Sequence, residues 1–124
     1  MSVTRTYTVT VVSTGSGNKY VIDGVQQDTV TLGITGTFRF DQSNATNGNH
    51  PLRFSTTSDG THSGGDEYTT NVTTNGVPGN SGAYTEISVT SATPTTLYYY
   101  CSQHPGMGGQ ANIVPAATWG ALNW

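Results

Sequence analysis

Apolar and polar positions alternate with period two along most of this chain, the signature of strands that bury one face and solvate the other. Residues 5–12, Arg5-Thr6-Tyr7-Thr8-Val9-Thr10-Val11-Val12, are almost all β-branched or aromatic and predict a first strand. Gly15-Ser16-Gly17-Asn18 predicts a turn, with strands over 19–23 and 29–32 on either side of a polar segment. Thr37-Phe38-Arg39-Phe40-Asp41 alternates so that both Phe rings share a face. A polar loop over 44–49 leads through His50-Pro51 into a strand over 52–56, with Leu52 and Phe54 inward. Residues 57–65 are almost all Ser, Thr, Gly and Asp and predict a flexible loop. Residues 67–72 predict a short strand or an irregular crossover, and Asn75-Gly76-Val77-Pro78-Gly79 a turn. Tyr84-Thr85-Glu86-Ile87-Ser88-Val89-Thr90 alternates cleanly, Leu97-Tyr98-Tyr99-Tyr100 follows the break at Pro94, and Ile113-Val114 predicts a last short strand. No longer segment shows the helical period of 3.6. The expected fold class is all-β, a Greek-key antiparallel β-sandwich of about seven to nine short strands.

Composition narrows the picture. The 124 residues make one domain, expected to span 1–115. A tail over 116–124, with Trp119-Gly120 and Asn123-Trp124, either folds back over one end of the sandwich or begins a linker. Thr, Ser, Gly and Asn abound, which suits short strands joined by tight turns. Only 9% of residues are charged and the net charge is −3, with no basic stripe, so a nucleic-acid partner is not expected. No apolar run approaches the roughly 20 residues of a membrane span. A single cysteine rules out an internal disulfide. Met1-Ser2-Val3-Thr4-Arg5 runs directly into strand-like sequence, so no signal peptide is expected.

The candidate chemistry lies in Cys101-Ser102-Gln103-His104-Pro105-Gly106-Met107, which holds the lone cysteine, one of three histidines and one of two methionines. Composition alone would place His and Met at these offsets from a lone Cys in roughly 6 of 15,000 chains. Coincidence is therefore the weaker account. A thiolate, an imidazole and a thioether form a soft donor set that suits copper, which also calls for a second imidazole. His50, at the mouth of the 52–56 strand, is the favoured fourth ligand. His62, in Thr61-His62-Ser63-Gly64-Gly65, is the lesser candidate because nothing in that stretch fixes its orientation.

These residues resemble the cupredoxins, the small blue-copper proteins. That family's last loop has a Cys-x(2–4)-His-x(2–4)-Met pattern and its upstream ligand a His-x-x-x-Phe motif, matched here by Cys101, His104 and Met107 and by His50-Pro51-Leu52-Arg53-Phe54. The two-residue gaps are similar to the shortest form of the loop, as in amicyanin. Gly108-Gly109-Gln110-Ala111-Asn112-Ile113-Val114 is similar to the strand that follows the Met. The likeness is strong in the last third of the chain and weaker before it. One departure is Pro51, where many members have an Asn that ties the two ligand loops together. Proline has no amide hydrogen, so Asn49 or Ser102 is expected to brace Cys101 instead. Asn49-His50-Pro51-Leu52-Arg53-Phe54-Ser55 and Tyr98-Tyr99-Tyr100-Cys101-Ser102 are also similar to cupredoxin-like segments of marine tailed-phage structural proteins.

The resemblance implies a mononuclear copper protein carrying one electron, with His50, Cys101, His104 and Met107 as ligands. His104 would offer its ring edge to a redox partner through a small, weakly charged docking face. The alternative is a virion structural or adhesion module that keeps the sandwich, with copper structural or absent, located in the virion as part of a larger protein. An enzyme is not expected. Zinc would gain little from Met107, and Cys101 follows a strand rather than opening a helix that would activate it as a nucleophile.

Overall fold

The computed structural model describes residues 2–115; the tail at 116–124 lies outside them. Eleven strands form in order: β1 (Arg5–Thr14), β2 (Gly17–Ile22), β3 (Val25–Gln26), β4 (Val30–Gly33), β5 (Thr37–Asp41), β6 (Leu52–Ser55), β7 (Glu67–Tyr68), β8 (Val72–Asn75), β9 (Tyr84–Ser88), β10 (Thr96–Cys101) and β11 (Gly109–Val114). The only helical pieces among the described residues are 3-10 turns at Ala45–Asn47 and Gly60–Ser63, and no helix is long and apolar enough to cross a membrane.

The strands form a β-sandwich. One sheet has the order β3-β2-β1-β5-β9-β8 and the other β4-β11-β10-β6-β7. Both sheets are mixed, because β1/β5 and β4/β11 run parallel while the remaining pairs are antiparallel. The chain leaves the first sheet after β3 to form β4 in the second, then returns to lay β5 beside β1. Strands joined by such a crossover, rather than a hairpin, are free to align in parallel. The strand tally exceeds nine because β3 and β7 are two-residue bridges. Residues 67–72 divide between the sheets, with β7 on β6 and β8 on β9. The turn between them passes through Asn71 at φ 57°. β11 is longer than Ile113-Val114 because Gly109 to Asn112 pair with β10 while Ala111 to Val114 pair with β4, which outweighs the poor strand preference of Gly109 and Gln110.

Alternation built the core. Tyr7 and Val9, Tyr20 and Ile22, Phe38 and Phe40, Leu52 and Phe54, and Leu97 and Tyr99 are buried pairs two residues apart. Phe40 lies near their centre, stacked on Tyr7 at 4.9 Å and edge-on to Phe54 at 5.4 Å between ring centroids. No buried side-chain nitrogen or oxygen among the described residues lacks a hydrogen-bond partner, so a Thr- and Asn-rich chain buries its polar groups without an unpaired cost.

Replacing Phe40 with Ala removes its ring contacts and leaves a cavity, with an expected cost of about 3–5 kcal/mol in urea unfolding; Phe40→Leu should cost clearly less. A loss under about 1 kcal/mol for the Ala variant would mean that this ring is not central to the core.

Candidate metal centre

The site begins with the register of β6 against β10. Leu52 pairs with Cys101 and Phe54 with Tyr99, antiparallel. Period-two alternation then turns Leu97, Tyr99 and Cys101 inward together. Beyond the ladder, the Ser102 N–H donates to Pro51 O at 3.0 Å. The upstream loop therefore meets the downstream loop one residue outside the sheet, and His50 arrives beside the thiol.

His50, Cys101 and His104 form one cluster whose ligand atoms all lie within 4.8 Å of one another. His50 Nδ1 is 3.6 Å from Cys101 Sγ and His104 Nδ1 is 3.7 Å from it. The two rings are 4.7 Å apart and inclined at 52°. Donors each about 2.0–2.3 Å from a shared ion stand roughly 3.3–4.0 Å apart in tetrahedral or trigonal geometry, and both nitrogen–sulfur separations fall in that range. Cys101 is fully buried and His50 nearly so, whereas His104 is exposed. Met107, on the same loop, is fully buried in the apolar core. The loop turns back sharply after it: a Cβ on Gly108 would overlap the Tyr99 carbonyl oxygen, so only glycine fits there.

His62 stands outside the cluster, but the expectation that nothing fixes its orientation does not hold. Its Nε2 lies 2.7 Å from Cys101 O, and its ring meets Tyr100 edge-on at 6.2 Å. The Gly60–Ser63 turn is responsible. Gly60 takes φ 54° close over the Tyr100 ring, where a Cβ would stand 2.5 Å from a ring carbon, and this seats the turn on β10.

The two expected braces fare differently. Ser102 joins the loops through its backbone amide. Asn49 occupies the turn at φ 67°, and its side chain is exposed and makes no hydrogen bond among the described residues. The His50 loop is braced instead by Gln42. Its Nε2 donates to His50 O at 2.7 Å and to Asn47 Oδ1 at 3.1 Å, and its Oε1 accepts the Leu52 N–H at 2.9 Å. Tyr20 Oη also donates to His50 O, at 2.6 Å, and Asn47 ties the loop to Val9 O at 2.7 Å. The signal for Gln42 was in the alternation: Phe38, Phe40 and Gln42 share one face, so an amide falls at the buried end of β5.

Burial, with His104 nearby, holds the His50 pKa below its ordinary 6.5, so the imidazole is neutral and able to bind a metal ion near pH 7. Burial, reinforced by Cys101 beside it, raises the Tyr20 phenol well above its usual range and keeps it a donor.

No protein-family model matches this sequence, and a search of curated proteins finds no relative. The sandwich and the placing of His50, Cys101, His104 and Met107 are compatible with the cupredoxin resemblance.

Gln42→Met keeps the volume but strips three hydrogen bonds and orphans the Leu52 amide, so urea unfolding should show a loss of about 2–4 kcal/mol. An unchanged midpoint would remove Gln42 from the bracing. For His50 the folded pKa is the lower one. Below 6.5 the unfolded chain holds a proton that the folded chain does not. The metal-free protein should therefore lose stability as pH falls through 6.5, levelling off once folded His50 protonates. Urea midpoints across that range should fall less steeply for His50→Gln, and equal slopes would contradict the assignment.

Proposed function

We propose that this chain is a mononuclear copper-binding domain that passes single electrons through His50, Cys101, His104 and Met107. The observation that carries the reading is the pair of imidazole Nδ1 atoms at 3.6 and 3.7 Å from one buried thiol. Copper supplies a one-electron couple that thiolate, imidazole and thioether donors accept in both oxidation states. Cys101 gives up its proton on metal binding, and His50, kept neutral by burial, needs to lose none. The buried thioether of Met107 separates this donor set from zinc sites, which draw on thiolate, imidazole and carboxylate.

His104 is the exposed member of the set. It borders an open cleft of about 420 Å³ with Asn49, Pro51, Val77, Pro78 and Gln103, a lining with no formal charge. A redox partner docking there would form a small, transient interface with little salt dependence. Full burial of the Cys101 thiol argues against a role as an enzymatic nucleophile.

Adding Cu(II) to the purified protein should produce an intense visible thiolate-to-copper charge-transfer band. Cys101→Ser and His50→Ala should abolish it, while His62→Ala should still bind copper and show a band. A colourless titration with no copper retained at stoichiometric metal would end the copper reading. Loss of the band in His62→Ala but not in His50→Ala would reassign the upstream ligand.

A further inference from the structure

Residues 57–65 contribute nothing to the core and no ligand, yet they grip the ligand loop at both ends. The loop over 101–107 needs such support. Its backbone holds a tight turn at Pro105–Gly106, and the rest of its shape comes from what it touches. On one side Lys19 Nζ donates to Gly106 O at 2.7 Å, Gln27 Nε2 donates to Gly108 O at 2.8 Å, and the Tyr20 N–H donates to Met107 O at 2.9 Å. On the other side stands the Gly60–Ser63 turn. Asp59 Oδ1 accepts the Gly106 N–H at 2.9 Å. His62 Nε2 lies 2.7 Å from Cys101 O; a carbonyl only accepts, so Nε2 carries the proton and donates.

We propose that residues 57–65 are a strap that holds 101–107 in its ligand-ready shape before metal arrives, with Asp59 and His62 as the positioning residues. What that shape is for rests on the copper reading above; the strap itself is a property of the metal-free chain. The two contacts fall on the first residue of the loop and on the residue before Met107, so together they limit the span over which Cys101, His104 and Met107 are displayed. The strap is seated independently of the loop, through Gly60 packed over Tyr100. Asp59 has φ 63°, a backbone that Asp, Asn and Gly tolerate and Ala does not. Asp59→Gly therefore deletes the acceptor without adding strain, and Asp59→Asn keeps it. At the other contact, His62→Ala deletes the donor and His62→Gln can restore it.

The test uses the whole metal-free protein, with amide exchange and chemical shifts followed by NMR. Exchange at Gly106 should accelerate on the order of tenfold in Asp59→Gly and return to the wild-type rate in Asp59→Asn. Loop amides over 101–107 should shift in His62→Ala and recover in His62→Gln. The amides of Val9 and Phe40 give the global reference, and an acceleration shared equally with them would overturn the strap. Wild-type exchange and shifts in both deletion variants would overturn it too. In copper-loaded protein, the energy and intensity of the charge-transfer band should change in the two deletion variants and match wild type in the two conservative ones. If the wild type binds no copper while the metal-free measurements behave as stated, the strap stands and the copper reading falls.

Discussion

The ladder between β6 and β10 pairs Leu52 with Cys101, and the ligand end of the molecule is organised by that register. It sets a residue near position 50 beside one near 101 across the sheet and points the thiol inward. A slip of one residue would turn Cys101 to the opposite face and Tyr100 into the core, because side chains alternate with period two. The register is held by burial on both strands: Leu52, Phe54, Leu97 and Tyr99 are all fully buried. The same hydrophobic pattern that specifies the sandwich therefore specifies the distance between His50 and Cys101.

Around that ladder the polar residues are placed where an apolar core would fail. His50 lies just outside β6, where ladder hydrogen bonds end and its carbonyl would otherwise be buried unpaired. Gln42 and Tyr20 fill that role from the facing sheet, and both donate to the same oxygen. This couples the two sheets at the ligand end with directional contacts, where apolar packing alone would leave the loop free to shift. Proline at 51 is tolerated for the same reason. The bond between the ligand loops uses its carbonyl, as acceptor from Ser102, so its missing amide hydrogen costs nothing there.

Much of this was legible along the chain, and the omissions have definite causes. Strands with strong alternation, such as β1, β5 and β9, were readable because each buries one face. β11 was read too short, because its polar residues gain their order from neighbouring strands, Gln110 from β10 and Asn112 from β10 and β4. Parallel pairing of β1 with β5 left no local signal, since it depends on a crossover through the other sheet. Gln42 was readable in principle from its place on the Phe38–Phe40 face, but its partners were not, because they come from a loop folded back on it. The 57–65 segment was the largest omission. Composition correctly showed that it has no core to make, yet its order comes from glycine φ angles and from two contacts to residues 39 and 47 positions away.

By itself the sequence determined the all-β class, the inward faces of the main strands and the donor types of the candidate centre, because these follow from local period and side-chain chemistry. Cys101, His104 and Met107 come as a set from one short loop, and His50 could be favoured over His62 from its place at a strand mouth. Only the tertiary structure decided that His50 Nδ1 and His104 Nδ1 face one thiol, that Gln42 and Tyr20 hold the His50 loop, and that His62 meets the Cys101 carbonyl. The physical reason is range. Alternation acts over two residues, but a ligand set and its hydrogen bonds join atoms tens of residues apart, and their positions exist only once both sheets have closed on a common core.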